Sequence, residues 1–362
     1  MKKNILVVDD SALLRRVICD IINSNDNLQA VETCKDGLEA YETLKKKRYD
    51  AVVLDVNMPR MSGLELLEQL QKDKIKATVI MVSTLTVKDA EVTVMALERG
   101  AVDFVAKPNN IIEAKGDFFK ESLLGVLCAV LQTQKIQKLQ STKTSVQTVS
   151  RPTSADVRSP VQKKKVSAKG NKLVALACST GGPKSLHSVI PYLPSNLDAP
   201  IVLVQHMPVG FTKSMAERLN EVSKISVKEA EDGDILQKGC VYVAPGGKHM
   251  EVGKMADGRH KIVLNDKPAI GGLKPCANIT YDSLVKSGYD EIVCVVLTGM
   301  GADGTKGILS LEKAKPIYVI SQDAKSCVIY GMPKAIYETG LVDEVVPLAE
   351  VASTITKRVG VR

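Results

Sequence analysis

The chain has 362 residues, 44% of them hydrophobic and 25% charged, which suits two soluble globular domains and excludes a wholly disordered protein. Its net charge of +8 is unevenly spread: residues 1–131 carry 18 basic and 20 acidic side chains, residues 132–172 carry 10 and 1, and residues 173–362 carry 21 and 20. The excess therefore lies in a middle stretch, and neither flank has the charge of a nucleic-acid module.

The N-terminal MKKNILVVDD ends its apolar run in two aspartates, so it reads as a first strand, Ile5–Val8, and not as a signal peptide. A helix over Leu13–Ile22 follows. Further strands are predicted at Ala30–Thr33, Ala51–Leu54, Thr78–Val82 and Ala101–Ala106, with helices at Gly37–Lys46, Gly63–Lys72 and Asp89–Arg99. Five short strands alternating with helices predict a doubly wound, five-stranded parallel sheet for residues 1–131. A helical segment from Asp117 to Leu139 closes it. The longest apolar run, Leu123 to Leu131, is broken by Gly125 and falls short of the ~20 residues a membrane span needs, so no membrane insertion is expected.

Residues 132–172 are rich in Ser, Thr, Lys and Gln, contain Pro152, Pro160 and the run Lys163–Lys165, and lack aromatics. Such a stretch cannot bury a core and reads as a flexible basic linker. Beyond it, Leu173–Cys178, Ile201–Gln205, Ile292–Leu297 and Ile317–Ile320 are buried-strand candidates. Gly239–Ala244, Met250–Val252 and His260–Leu264 look like shorter strands, with Asp257-Gly258 as a hairpin turn. Residues 173–362 thus form a second, mostly parallel α/β domain with an antiparallel region. The eight cysteines are scattered without a C-x-x-C pair, which fits free thiols in a reducing cytoplasm and no zinc site.

In an open parallel sheet, functional groups collect at the carboxyl ends of the strands. Asp9, Asp10, Asp55, Ser83 and Lys107 all fall there. Clustered carboxylates need a cation, and hard oxygen ligands suit Mg²⁺. A lysine and a hydroxyl beside them can meet a phosphoryl group. Any one of these aspartates alone would be an ordinary loop residue or helix N-cap; the set is what carries the chemistry. The segments VVDD (7–10), LDVNMPRMSG (54–63), MVST (81–84) and DFVAKP (103–108) resemble the receiver domain of two-component response regulators. That resemblance implies phosphorylation of Asp55 by a histidine kinase. It implies Mg²⁺ held by Asp10, Asp55 and the Asn57 carbonyl with Asp9 behind them, phosphoryl sensing by Ser83 and Lys107, and Phe104 as the switch aromatic.

The second domain offers a nucleophilic set. Ser179 follows a strand in the turn Ser179-Thr180-Gly181-Gly182-Pro183, where Pro183 suits a first helical turn and free N–H groups could face an oxyanion. A serine needs a base. Of four histidines, His187 lies on the following helix and His249 and His260 flank the hairpin, whereas His206 ends a strand at the serine's edge. Asp303, after another strand, can fix its tautomer. Each residue alone has a plain structural reading; their convergence at three strand ends favours catalysis. The surroundings A-C-S-T-G-G do not fit the G-x-S-x-G elbow.

ACSTGG (177–182), QHMPVGFTKSMAERL (205–219), VYVAPGGKHM (241–250), LTGMGADG (297–304) and YGMPKA (330–335) resemble the catalytic domain of chemotaxis protein-glutamate methylesterases. The resemblance implies Ser179 as nucleophile, His206 as base, Asp303 as its orienter, and Thr180 and the Met300 N–H as transition-state support, with no cofactor for the ester chemistry. It further implies a monomeric cytoplasmic serine hydrolase that removes glutamate methyl esters from chemoreceptors and deamidates glutamines, controlled by phosphorylation. Residues 274–284 and Asn57 depart from the pattern usual in that family. Two rivals remain at this level. One is a DNA-binding output domain, disfavoured by the near-neutral second half. The other is a catalytically retired adaptor, disfavoured by the intact Ser/His/Asp set.

Overall fold

The structure is a computed structural model that describes residues 2–108, 113, 117–141 and 170–362. The first domain runs β1 (Lys3–Val8), α1 (Ala12–Asn23), β2 (Leu28–Cys34), α2 (Gly37–Lys46), β3 (Ala51–Asp55), α3 (Gly63–Lys72), β4 (Val79–Ser83), α4 (Val87–Glu98), β5 (Asp103–Ala106) and α5 (Asp117–Ser141). Its five strands are parallel, in the order β2-β1-β3-β4-β5. β3 and β4 are buried at every position, as continuous apolar strands must be when helices cover both faces. The helices begin where side-chain caps dictate: Ser11, Asp36, Ser62 and Thr86 each accept an N–H from the first turn, and Ser62 and Glu65 form a full capping box. α5 runs ten residues past Leu131, into the stretch whose composition reads as a linker; residues 142–169 of that stretch lie outside the described residues.

The second domain is built on a seven-stranded parallel sheet, in the order β14-β13-β12-β6-β7-β9-β8. Its strands are β6 (Lys172–Cys178), β7 (Ile201–Gln205), β8 (Ser226–Glu229), β9 (Cys240–Val243), β12 (Glu291–Val296), β13 (Ile317–Gln322) and β14 (Glu344–Val346). The expected hairpin is present as antiparallel β10 (His249–Lys254) and β11 (His260–Asn265). Cys240–Val243, which its neighbourhood groups with that hairpin, instead joins the main sheet in parallel register with β7 and β8. Val241 and Val243 are fully buried there. From β6 the chain winds outward to β7, β9 and β8, and later returns to fill the other side with β12, β13 and β14. β6 therefore borders the point where the winding reverses, and its carboxyl end opens into the crevice where such sheets bind ligands.

The domains touch through α4. It packs against α6 (Gly182–His187) and α7 (Phe211–Val222) of the second domain. Ala90 and Val94 of α4 share one apolar cluster with Leu186, Phe211 and Met215.

Candidate active sites

Ser179 stands one residue past β6 and His206 one residue past β7, and the strands pair so that Cys178 lies beside Gln205. The Ser179 N–H donates to the Thr298 carbonyl at 3.0 Å and its carbonyl accepts from Gly182 at 2.7 Å. The turn is tight: Gly181 adopts φ 75°, a left-handed conformation costly for a side chain. The following helix has only six residues, and its Gly182 N–H is spent on that turn. The loop after β12 closes over the serine from the other side, since a Cβ at Gly299 would lie 2.9 Å from Ser179 Cβ. The next residue, Met300, is half exposed.

Asp303 reaches the same edge. Its Oδ2 meets His206 Nε2 at 2.8 Å. An ionised carboxylate only accepts, so Nε2 carries the proton and Nδ1 keeps the lone pair that can take a serine proton. The rest of the carboxylate is saturated by donors. Ala277, Asn278 and Gly304 N–H groups donate at 2.6, 3.1 and 2.9 Å, and the Cys276 thiol at 3.2 Å. Ala277 begins α8 (Ala277–Leu284), which has no side-chain cap of its own. The Asp303 carboxylate thus caps that helix across the fold, and the helix's positive end favours its charge. Burial opposes ionisation, but the His206 ring, the Ala277 N–H and the thiol outweigh it and hold the carboxyl at about 2. Residues 274–284, where the sequence departs from the usual pattern, supply three of these donors, Cys276, Ala277 and Asn278.

In the first domain the acidic set also assembles. Asp9, Asp10 and Asp55 each offer a carboxylate oxygen, all within 4.8 Å of one another. Lys107 Nζ lies 2.7 Å from Asp55 and 3.0 Å from Asp9. Burial lifts the Asp55 carboxyl to about 6, with Lys107 opposing and Asp9 reinforcing. Despite the burial of Lys107, the same two carboxylates raise its ammonium above the ordinary value. The oxygen-only donors fit a hard cation such as Mg²⁺.

Two predicted members reach α4 through their side chains. Ser83 is fully buried and accepts from the Thr93 hydroxyl of α4 at 2.7 Å. The Asn57 amide donates to Asp89 of α4 at 2.6 Å, and the Thr84 and Thr86 hydroxyls reach the same carboxylate. Although burial opposes it, those hydroxyl donors hold Asp89 below the usual carboxylate range. Ser83 and Asn57 are therefore bonded to the helix that contacts the second domain.

That contact extends to the surroundings of Ser179. Asp103, at the start of β5, is 8% exposed and accepts from the Phe104 N–H; burial lifts its carboxyl to about 7, with that N–H and the nearby Thr180 hydroxyl opposing. Phe104 stacks on Phe211 with centroids 4.5 Å apart. Glu98 meets His187 at 3.2 Å and Arg218 at 3.1 Å. Asp89, Asp103, Gln205 and Cys276 were not singled out by sequence reasoning. The spacing Thr86-x-x-Asp89 was a readable helix-start signal, and Gln205 was a polar residue closing an apolar strand; Asp103 and Cys276 carried no local signal.

A family profile described as "CheB methylesterase" matches residues 174–355, and one described as "Response regulator receiver domain" matches residues 5–115. The chain is 44% identical over 365 aligned residues to the protein-glutamate methylesterase/protein-glutamine glutaminase of Pyrococcus abyssi, spanning 99% of this chain and 94% of that protein. It is 39% identical to the Bacillus subtilis protein of the same name, over 97% of each. The crystal structure of the Thermotoga maritima CheB methylesterase catalytic domain matches 52% of this chain and 98% of its own length, with 41% identity and a TM-score of 0.50. No helix among the described residues is long and apolar enough to cross a membrane. With matching domains in the matching order along nearly its full length, the chain belongs to the CheB family of protein-glutamate methylesterases that carry an N-terminal response regulator receiver domain.

Proposed function

We propose that the chain hydrolyses γ-glutamyl methyl esters on chemoreceptors, deamidates glutamines by the same acyl chemistry, and is switched by phosphorylation of Asp55. The observation that carries the reading is the His206–Asp303 pair, seated at the strand ends beside Ser179. His206 Nδ1 takes the proton of Ser179 Oγ as the oxygen attacks the ester carbonyl. Asp303, fixed and ionised, steadies the imidazolium that results. The Met300 N–H, with Thr180 as local support, is assigned to the developing oxyanion. The proton returns from His206 to the leaving methoxide, methanol departs, and water, activated by the same histidine, releases glutamate. With glutamine the leaving group is ammonia.

For the receiver, Asp55 is the phosphoacceptor, and the proposed donor is a histidine kinase. Asp9, Asp10 and Asp55, with the Asn57 carbonyl, are assigned to hold Mg²⁺, which when bound neutralises phosphoryl oxygens. Lys107 is placed to pair with the phosphoryl group, and Ser83 to sense it once released from Thr93. The contacts of Asp103, Phe104 and Glu98 beside Ser179 support a resting state in which the receiver covers the hydrolase face. Phosphorylation frees that face by a domain rearrangement. We further propose a monomer of the cytoplasm, with residues between α5 and β6 acting as a tether.

Methanol release from methylated receptor membranes tests the reading. Ser179→Ala should abolish release, and a phosphodonor such as acetyl phosphate should raise it in the wild type but not in Asp55→Asn. Wild-type rates from Ser179→Ala overturn the serine mechanism; an equal phosphodonor response in Asp55→Asn overturns the switch.

A further inference from the structure

Gln205 closes β7 one residue before His206, in register with Cys178 one residue before Ser179. It is 2% exposed, so its amide must find partners within the protein. Nε2 donates to the Ser179 carbonyl at 3.0 Å and to the His206 carbonyl at 3.1 Å, while Oε1 accepts from the Cys178 thiol at 3.0 Å. Both amide protons are thus committed to the backbones of the two residues that exchange a proton in the reaction. Thr298 also grips the serine turn, accepting from Ser179 N–H and donating to the Thr180 carbonyl. Thr298 has no hydrogen bond to His206, however, whereas the Gln205 side chain binds the backbones of both Ser179 and His206.

We propose that Gln205 is a positioning residue of the hydrolase site, whose amide cross-links the Ser179 and His206 backbones and sets the separation of hydroxyl and imidazole. This rests on the serine-hydrolase reading. The chemistry requires a side chain of this length with two N–H donors in one plane. Methionine fills the same space and donates nothing. Glutamate presents carboxylate oxygens to two carbonyl oxygens, and donates only when protonated.

Gly182 supplies an independent handle. A Cβ there would stand 1.9 Å from Gln205 Oε1 and 3.1 Å from Cys178 Cβ. Gly182 does not adopt a positive φ, so alanine suits its backbone. Gly182→Ala must then push the amide off its partners while leaving Gln205 itself unchanged.

The test is steady-state methanol release by the full-length chain carrying Gln205→Met, Gln205→Glu, Gly182→Ala, or Gly182→Ala with Gln205→Met. Misplacement of reacting groups by about an ångström costs up to about a hundredfold. We expect kcat to fall at least tenfold, taking that scale as a guide, with KM nearly unchanged. The ratio of Gln205→Glu to wild-type kcat should rise as the pH falls and the new carboxyl gains a proton. The double variant should be no slower than the slower single one, because both remove the same bonds. A folded Gln205→Met with wild-type kcat overturns the proposal, as does a loss confined to KM or a pH-independent Gln205→Glu ratio. If Gln205→Met fails to fold, Gly182→Ala decides by the same criteria. Activity surviving in Gln205→Met but not in Ser179→Ala sinks this inference alone; activity surviving in Ser179→Ala sinks the reading beneath it.

Discussion

At the receiver's sheet edge, Asp55, Asp9 and Lys107 hold one another by charge, while Asn57, Ser83 and Thr84 reach away to α4 through side-chain bonds. At the hydrolase edge, Asp303 is held by three backbone N–H groups, and the Ser179 turn by Thr298 and Gln205. Both sites exploit the same property of parallel sheets, but their fastenings differ in kind. Side-chain bonds to a neighbouring helix can be exchanged when a phosphoryl group arrives. Backbone donors cannot be exchanged without unfolding the turn. A switch is suited by the first arrangement and a catalyst by the second.

The largest expected effect comes from attacking the rigid site. Asp303→Asn should lower kcat by roughly a thousandfold to ten-thousandfold, because an amide facing Nε2 favours the tautomer with its proton on Nδ1. The same substitution tests the fastening. Asp303 has its carboxyl held at about 2 when folded, against about 3.9 when unfolded. Its contribution is therefore present above about pH 4 and lost as the pH falls toward about 2. The stability advantage of wild type over Asp303→Asn, measured by urea unfolding, should shrink over that window; a pH-independent difference would show that the donors do not favour the ionised form.

A smaller effect should come from the seam between the sites. Covered, Asp103 titrates at about 7; uncovered, it should return to about 3.9. The closed form thus binds the extra proton, is favoured fully below about pH 4, and loses that advantage as the pH climbs to about 7. Basal methanol release should rise over this range more steeply than the wild-type enzyme with its phosphodonor present, and Asp103→Asn should remove the extra slope. Identical profiles for Asp103→Asn and wild type would mean that the carboxylate does not report closure.

The smallest effect tests the exchangeable fastening. Asp89→Ala deletes the acceptor shared by Asn57, Thr84 and Thr86, and should raise unphosphorylated activity a few-fold while narrowing the response to acetyl phosphate. An unchanged response would show that α4 is not held in its resting place by Asp89.

The strand ends were legible because apolar runs are legible: Asp55, Lys107, Ser179 and His206 each follow one closely, and parallel order brings them to one edge. Asp303 lies farther down its loop, and resemblance placed it as firmly as spacing did. The edge strands β8 and β14 have only four and three residues, too few to show a period. The contacts that join the domains were not legible. Phe104 finds Phe211, and Asp103 finds Thr180, across a long separation in the chain, and no local pattern encodes such a partner. Gln205 escaped for another reason: a glutamine at a strand end looks like ordinary surface until its burial is known.

The position of α4 has a further consequence. One side of this helix receives the side chains around Asp55, and another is covered by the hydrolase domain near Ser179. If an anion at Asp55 helps to uncover Ser179, thermodynamic linkage requires the favour to be returned in equal measure. A receptor helix lying on the hydrolase face would then tighten the receiver's hold on a phosphoryl analogue such as beryllofluoride by the same factor. The enzyme would in that case respond to its substrate as well as to its kinase.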